Sequence, residues 1–206
     1  QSLKIQGLRN VSQAELDSLS RFNIFYGANG AGKTTLLEAI HLLGLGRSFR
    51  MARNKPLIGY ESHEAVVFGQ VSRAEESLND SHPTTSIGVS RNRQGLNEIR
   101  IHGQRSHSSA ELATLLPLQT IHADTFQLIL GPPGLRRQFV DWGVFHVEHN
   151  FLDQWRRLQR CLKQRNSLLR RGKISTNEIA PWNGEFVQLS ESLTRLRQQY
   201  VDLWLP

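Results

Sequence analysis

Gly27-Ala28-Asn29-Gly30-Ala31-Gly32-Lys33-Thr34 decides the reading of this chain. A glycine, four residues and then Gly-Lys-Thr is the spacing of a phosphate-binding loop. The flanks agree with it. Phe22-Asn23-Ile24-Phe25-Tyr26 reads as a short apolar strand, and Thr35-Leu36-Leu37-Glu38-Ala39-Ile40 opens a helix. A strand delivers the chain to a tight turn, glycines let successive N–H groups converge on phosphate oxygens, and the helix N-terminus adds its dipole. Three glycines within six residues before Lys-Thr exceed what ordinary turn chemistry needs. Gly27, Ala28, Asn29, Gly30, Ala31 and Gly32 are therefore expected to line the cofactor. Lys33 is expected to reach the β- and γ-phosphates of ATP, and Thr34 to offer its hydroxyl to Mg²⁺. Thr35 is either a further contact or a plain first-turn helix residue.

Outward from the loop, the bulk numbers set limits. The 206 residues allow one domain, or one and a small appendage. At 38% hydrophobic and 21% charged, the composition is that of a soluble globular protein. No apolar run approaches a membrane span, and no secretory signal is visible. The single cysteine, Cys161, excludes an internal disulfide and fits a reducing, cytoplasmic setting. A formal net charge of +7 fits a polyanionic partner, nucleic acid being the commonest, and fits mere solubility as well.

Residues 1–26 read as two or three strands, with Leu3 to Leu8 alternating, a turn at Arg9-Asn10, and a return around Ala14 to Leu16. The loop and its helix fill 27–45, closed by Gly44-Leu45-Gly46. Residues 64–104 look like antiparallel strands at 65–71, 86–90 and 97–102, with Glu75 to Pro83 as an exposed hairpin loop. A short helix is expected at 109–116 and a buried strand at Leu118 to Ile121. From Leu135 the character is helical. Phe151 to Leu169 carries Trp155, Leu158, Leu162 and Leu169 at helical spacing, and a second helix is expected from Trp182 to Leu205. Gly172 to Pro181 would join the two as a hairpin. The expected architecture is α/β: the N-terminal part of an ATPase lobe with mixed strands at 1–137, followed by a helical arm at 138–206. No apolar run ends in the Asp-Glu that a phosphate-loop ATPase uses to hold Mg²⁺ and position water. With an apolar C-terminus as well, the expectation is the N-terminal part of a longer protein.

Five segments together resemble the RecF family, DNA-repair ATPases related to SMC and ABC proteins. They are Leu8-Arg9-Asn10; Tyr26 to Thr34 running on into Leu37-Glu38-Ala39-Ile40; Gly46-Arg47-Ser48-Phe49-Arg50; Gly131-Pro132-Pro133 followed by Arg136-Arg137-Gln138-Phe139-Val140-Asp141-Trp142; and Lys163-Gln164-Arg165-Asn166. The phosphate loop is shared by many families, whereas the Gly-Arg-Ser-Phe-Arg and Arg-Arg-x-Phe-x-Asp segments are far more specific. The resemblance implies an ABC/SMC-like fold that binds ATP and Mg²⁺, dimerises around two ATPs and binds double-stranded DNA and gap junctions. It implies work with RecR and RecO to load RecA at single-stranded gaps, within the DNA-damage (SOS) response. It implies slow, DNA-stimulated hydrolysis used as a switch. In the family the capping signature and the Asp-Glu strand lie in the C-terminal part, so neither falls within these residues.

The resemblance also makes Arg9 and Asn10 candidates for nucleotide contact, because their turn lies beside the phosphate loop in related folds. Where the family carries Pro before an acidic residue, this chain has Ala123 before Asp124. Asp124 is a candidate metal or water contact, against its reading as a helix N-cap before Phe126. Arg47 and Arg50 are candidates for DNA phosphate, or for electrostatic capping of the preceding helix. Eight basic residues and no acidic one fall within 155–173, among them Arg156, Arg160 and Lys163, which would lie along one helix face. Such a stripe tracks a phosphate backbone or is a solvated face. Two other classes compete with a DNA-repair switch: a phosphate-loop kinase or other phosphotransferase, and an SMC-like fragment serving only as a partner surface.

Overall fold

Alternation along β1 (Ser2–Leu8) buries Leu3 and Ile5 and exposes Lys4 and Gln6. The chain reverses at Arg9, whose φ is 51°, and returns as β2 (Val11–Leu16). In this computed structural model, which describes residues 1–50, 57–72, 84–172 and 175–204, these strands open an antiparallel sheet of order β2-β1-β3-β4-β5-β6. The others are β3 (Glu64–Ser72), β4 (Thr84–Asn92), β5 (Asn97–Ile101) and the short β6 (Gln104–Ser106). The expected strands at 65–71, 86–90 and 97–102 are therefore present. The expected loop from Glu75 to Pro83 lies outside the described residues, as do Lys173, Leu205 and Pro206.

One sheet face buries Leu3, Ile5, Ala65, Val67, Ile87 and Val89 against Ala39, Leu42 and Leu43 of α1 (Lys33–Leu45). Leu43 occupies the space a Cβ at Gly69 would need, so this glycine lets helix and sheet approach. Gly46, at φ 63°, closes α1 with its N–H on the Leu42 carbonyl, as the terminal glycines predict. Beside α1 lies α2 (Ser109–Leu115), capped by Ser108 and contributing buried Leu112. The other sheet face carries a groove of about 450 Å³ lined by Val66, Phe68, Gly88 and Arg100; no phosphate-loop residue lines it.

Two expected strands are absent. Phe22 to Tyr26 pairs with no described strand, and Phe22, Ile24 and Tyr26 are 82%, 86% and 91% exposed. Ser20 and Asn23 bond one another instead, Asn23 Nδ2 donating to the Ser20 carbonyl at 2.8 Å. Apolar composition favours a strand only where a neighbour accepts its N–H groups, and the sheet ends at β2. Leu118 to Ile121 is likewise irregular, with Ile121 84% exposed. Leu118 itself lies against Gly44 of α1.

The second compact unit comprises residues 121–206. In it α4 (Pro133–Val147) runs unbroken across positions 137 and 138. A single 3₁₀ turn (Ala123–Phe126) and α3 (Gln127–Leu130) precede it. Arg136 of α4 donates to the carbonyls of Leu128, Ile129 and Gly131, satisfying the end of α3. Then come α5 (Phe151–Leu169) and α6 (Thr176–Asp202). Bonds Gln154–Ser192, Arg157–Glu185 and Arg165–Asn183 place α5 antiparallel to α6. Asp141 pairs with Arg197, Gly143 meets Tyr200 and Phe139 meets Trp204, so α4 lies along the C-terminal part of α6 and α5 along the part before it. Phe186, Leu189, Leu193, Leu196 and Tyr200 recur at alternating steps of three and four and meet Val144, Phe151, Trp155, Leu158 and Leu162.

The start of α6 corrects the expected one by six residues. Ser175 and Glu178 form a capping box, Ser175 Oγ accepting from the Glu178 N–H and the Glu178 carboxylate accepting from the Ser175 N–H. The helix runs on through Pro181. The link to α5 is correspondingly shorter than 172–181. No helix among the described residues is long and apolar enough to cross a membrane.

Candidate nucleotide-binding site

The phosphate loop adopts the backbone its glycines predict. Gly27, Gly30 and Gly32 have φ of 146°, 84° and 95°, a region that L side chains rarely adopt. Gly32 is the N-cap of α1, so the loop runs directly onto the helix's unpaired N–H groups. Among the described residues, no atom lies within 4 Å of where a Cβ at Gly30 would project. Lys33 Nζ donates to the carbonyls of Gly27 at 2.7 Å and Ala28 at 2.8 Å. An ammonium has three donors, so one remains for a ligand oxygen. Thr34 is exposed, and among the described residues its hydroxyl has no protein partner. Convergent N–H groups, a cation with a donor to spare and an exposed hydroxyl one residue on are the donor set that a polyphosphate with a hard divalent cation requires.

The loop is held from behind by the β1–β2 turn. Asn10 Nδ2 donates to the Gly30 carbonyl at 2.6 Å, and Thr35 Oγ1 donates to Asn10 Oδ1 at 2.9 Å. Thr35 is 2% exposed, and its hydroxyl is turned into the protein. Arg9 grips the carboxylate of Glu38 in the second turn of α1 through Nε and, at 2.7 Å, through Nη2. Ser48 Oγ donates to the same carboxylate and accepts from the Arg50 N–H at 2.9 Å. Burial opposes the charged form of Glu38, but the hydrogen bonds from Arg9 and Ser48 and the charges of Arg9 and Arg50 outweigh it. Its carboxyl titrates below the ordinary value. Two of the Arg9 guanidinium nitrogens thus lie on the Glu38 carboxylate.

A model of the RecF/RecN/SMC N-terminal domain matches residues 1–191. The chain belongs to this family. The curated relatives of this RecF/RecN/SMC domain include proteins named DNA replication and repair protein RecF. That from Pseudomonas syringae pv. syringae is 48% identical over 99% of this chain, and that from Stutzerimonas stutzeri 50% identical over 99%. The chain spans 54% of the length of each, so it corresponds to about half of such a protein. Among solved structures, one described as the recombination mediator protein RecF-ATP in the RecFOR pathway superposes with a TM-score of 0.81 at 23% identity. It covers 98% of this chain and 53% of that one. A structure described for ATP-driven dimerization and DNA-stimulated activation of SMC ATPases superposes at 0.54 with 20% identity, covering 68% and 96%. Both likenesses establish the ATPase-head fold for this RecF/RecN/SMC domain.

The remaining candidate residues fall in three places. Arg47 and Arg50 are exposed on the loop after α1, and the Arg47 carbonyl accepts from His41 Nδ1 at 2.7 Å. On α5, Arg156, Arg160 and Lys163 lie opposite the apolar seam, Arg156 being 3.9 Å from Asp153. Asp124 is exposed and 3.8 Å from His122 Nδ1. The residue capping that turn is His122, whose Nδ1 accepts from the Asp124 N–H at 3.2 Å, so the N-cap expected of Asp124 falls two residues earlier. Sequence reading missed Glu38 and Ser48 as the anchor of the site. The available signal was a lone carboxylate inside the Leu36 to Leu43 run, which is apolar but for it and His41.

Proposed function

We propose that this chain is the ATP-gripping part of a DNA-repair switch of the RecF kind. The carrying observation is the glycine loop at left-handed φ running onto α1 with Lys33 and Thr34 at its mouth. Bound ATP supplies the charge that ties the switch together. The loop N–H groups and Lys33 hold its phosphates, and Thr34 holds Mg²⁺. Arg47 and Arg50 on one loop, and Arg156, Arg160 and Lys163 on α5, contact DNA phosphates without reading bases, at double-stranded DNA and gap junctions.

The relatives' additional length supplies the Asp-Glu strand and the capping signature, and with them ATP-dependent dimerisation and slow hydrolysis. The bare segment Phe22 to Tyr26 and the half-exposed Leu37 support this, since both offer apolar surface beside the loop. The protein acts in the cytoplasm with RecR and RecO ahead of RecA loading. Residues 1–137 form the ATPase lobe and 138–206 the start of the arm.

Binding of labelled ATP, with and without Mg²⁺, and of gapped duplex DNA across a salt series tests this reading. The comparison is between this chain, a form extended to its relatives' length, and Lys33→Met in each. ATP-enhanced, salt-sensitive DNA binding that Lys33→Met abolishes is the expected result. DNA binding absent at near-physiological salt in both forms overturns the DNA part, and ATP binding indifferent to Lys33→Met overturns the nucleotide part.

A further inference from the structure

Asn10 touches both halves of the phosphate-binding element with one side chain. Its Nδ2 donates to the Gly30 carbonyl in the loop, and its Oδ1 accepts from Thr35 Oγ1 in the first turn of α1. The amide orientation is forced, because the flipped form would set Oδ1 against the Gly30 carbonyl, two acceptors facing each other. The next residue adds a steric stop: Val11 Cγ2 lies 2.9 Å from where a Cβ at Gly32 would sit, so the turn rests directly on the last loop glycine. The turn cannot drift, since the Arg9 N–H donates to the Leu57 carbonyl at 2.9 Å and the Arg9 guanidinium is clamped to Glu38.

A glycine-rich loop has more conformations to lose than any other segment when it closes on a ligand. Fixing one of its carbonyls to a rigid sheet turn removes part of that loss before the ligand arrives.

We propose that Asn10 is a positioning residue for nucleotide binding, setting the phosphate loop through Gly30 and Thr35 rather than touching the nucleotide. This rests on the nucleotide reading above. Two measurements test it. The first is amide exchange across residues 28–36 in the nucleotide-free protein, and the second is the affinity for labelled ATP·Mg²⁺. The variants are Asn10→Ala, Thr35→Val and Thr35→Ser, with Lys33→Met as the control for the nucleotide reading.

Asn10 is exposed and Thr35→Val keeps the side-chain shape, so both variants fold; melting curves confirm it. Asn10→Ala and Thr35→Val are each expected to speed loop exchange and to weaken ATP about tenfold, the loss of one to two hydrogen bonds. Thr35→Ser, which keeps the hydroxyl, is expected to behave as wild type, and the exchange of α5 and α6 is expected not to change. Unchanged loop exchange and unchanged affinity in Asn10→Ala overturn the proposal, as does failure of Thr35→Ser to restore both. Faster exchange in Asn10→Ala while wild type and Lys33→Met bind ATP equally poorly overturns the nucleotide reading, and leaves the turn a purely structural brace.

Discussion

Glu38 is fully buried inside α1, and Arg9, Ser48 and Arg50 favour its ionised form against that burial. Removing one member of a buried pair leaves the other charge uncompensated, which typically costs about 3–5 kcal/mol. Glu38→Gln is therefore expected to destabilise the first unit by about that amount at neutral pH, by stranding Arg9. The pH dependence has a definite sign. A carboxyl whose folded value is depressed stabilises the fold fully above its unfolded value, near 4.5, and loses that contribution as pH falls through the lower folded value. Urea titrations of wild type and Glu38→Gln from about pH 7 to about pH 3 check this. Their difference is expected to hold down to about pH 5 and to narrow below it. A difference independent of pH would mean that packing, not charge, makes Glu38 matter.

At the scale of elements, α4 and α6 meet where Gly143 leaves room for the Tyr200 ring. Tyr200 is also edge-on to Trp204, with centroids 4.9 Å apart, so the ring has little freedom to move aside. Gly143→Ala brings two opposed effects. Alanine favours the helix by up to about 1 kcal/mol, while overpacking costs about 1–3 kcal/mol. Overpacking is expected to win, and the sign is expected to reverse in a Tyr200→Ala background. A double-mutant cycle by chemical denaturation reads this directly, and additive effects would show that the two side chains do not constrain each other. The outer face of α5 behaves differently. Arg156, Arg160 and Lys163 stand away from the seam, so changing all three to Gln is expected to leave melting unaltered. The same change is expected to reduce the salt slope of DNA binding by roughly 0.9 for each phosphate that is no longer neutralised. An unchanged slope would identify the stripe as a solvated face.

For the whole molecule, the run Phe22-Asn23-Ile24-Phe25-Tyr26 stands apart, since Phe22, Ile24 and Tyr26 are exposed and its backbone has no partner strand among the described residues. Its amides are expected to exchange at the rate of open chain in these 206 residues. They are expected to become protected when the chain is extended to the length of its relatives. Exchange equally fast in both forms would show that the segment is a loop by nature.

Legibility divided along the same line. Periodicity placed β1 to β5, α1, α2 and α5, because each of these buries its apolar face against neighbours present in the chain. The loop was legible because glycine spacing specifies backbone geometry directly. Phe22 to Tyr26 and Leu118 to Ile121 have strand composition without strand neighbours, and composition carries no information about pairing. The start of α6 was legible in Ser175-Thr176-Asn177-Glu178, but Pro181 drew the boundary too late. Arg9, Asn10 and Thr35 were found as a neighbourhood of the loop, while their roles depended on Glu38 and Gly30, residues distant along the chain. The amino-acid sequence by itself determined the phosphate loop, its helix and the helical periodicity of the second half, since these follow from interactions a few residues apart. Only the tertiary structure decided that the β1–β2 turn is bonded to the loop, because that depends on which side chains a folded sheet brings within hydrogen-bonding distance.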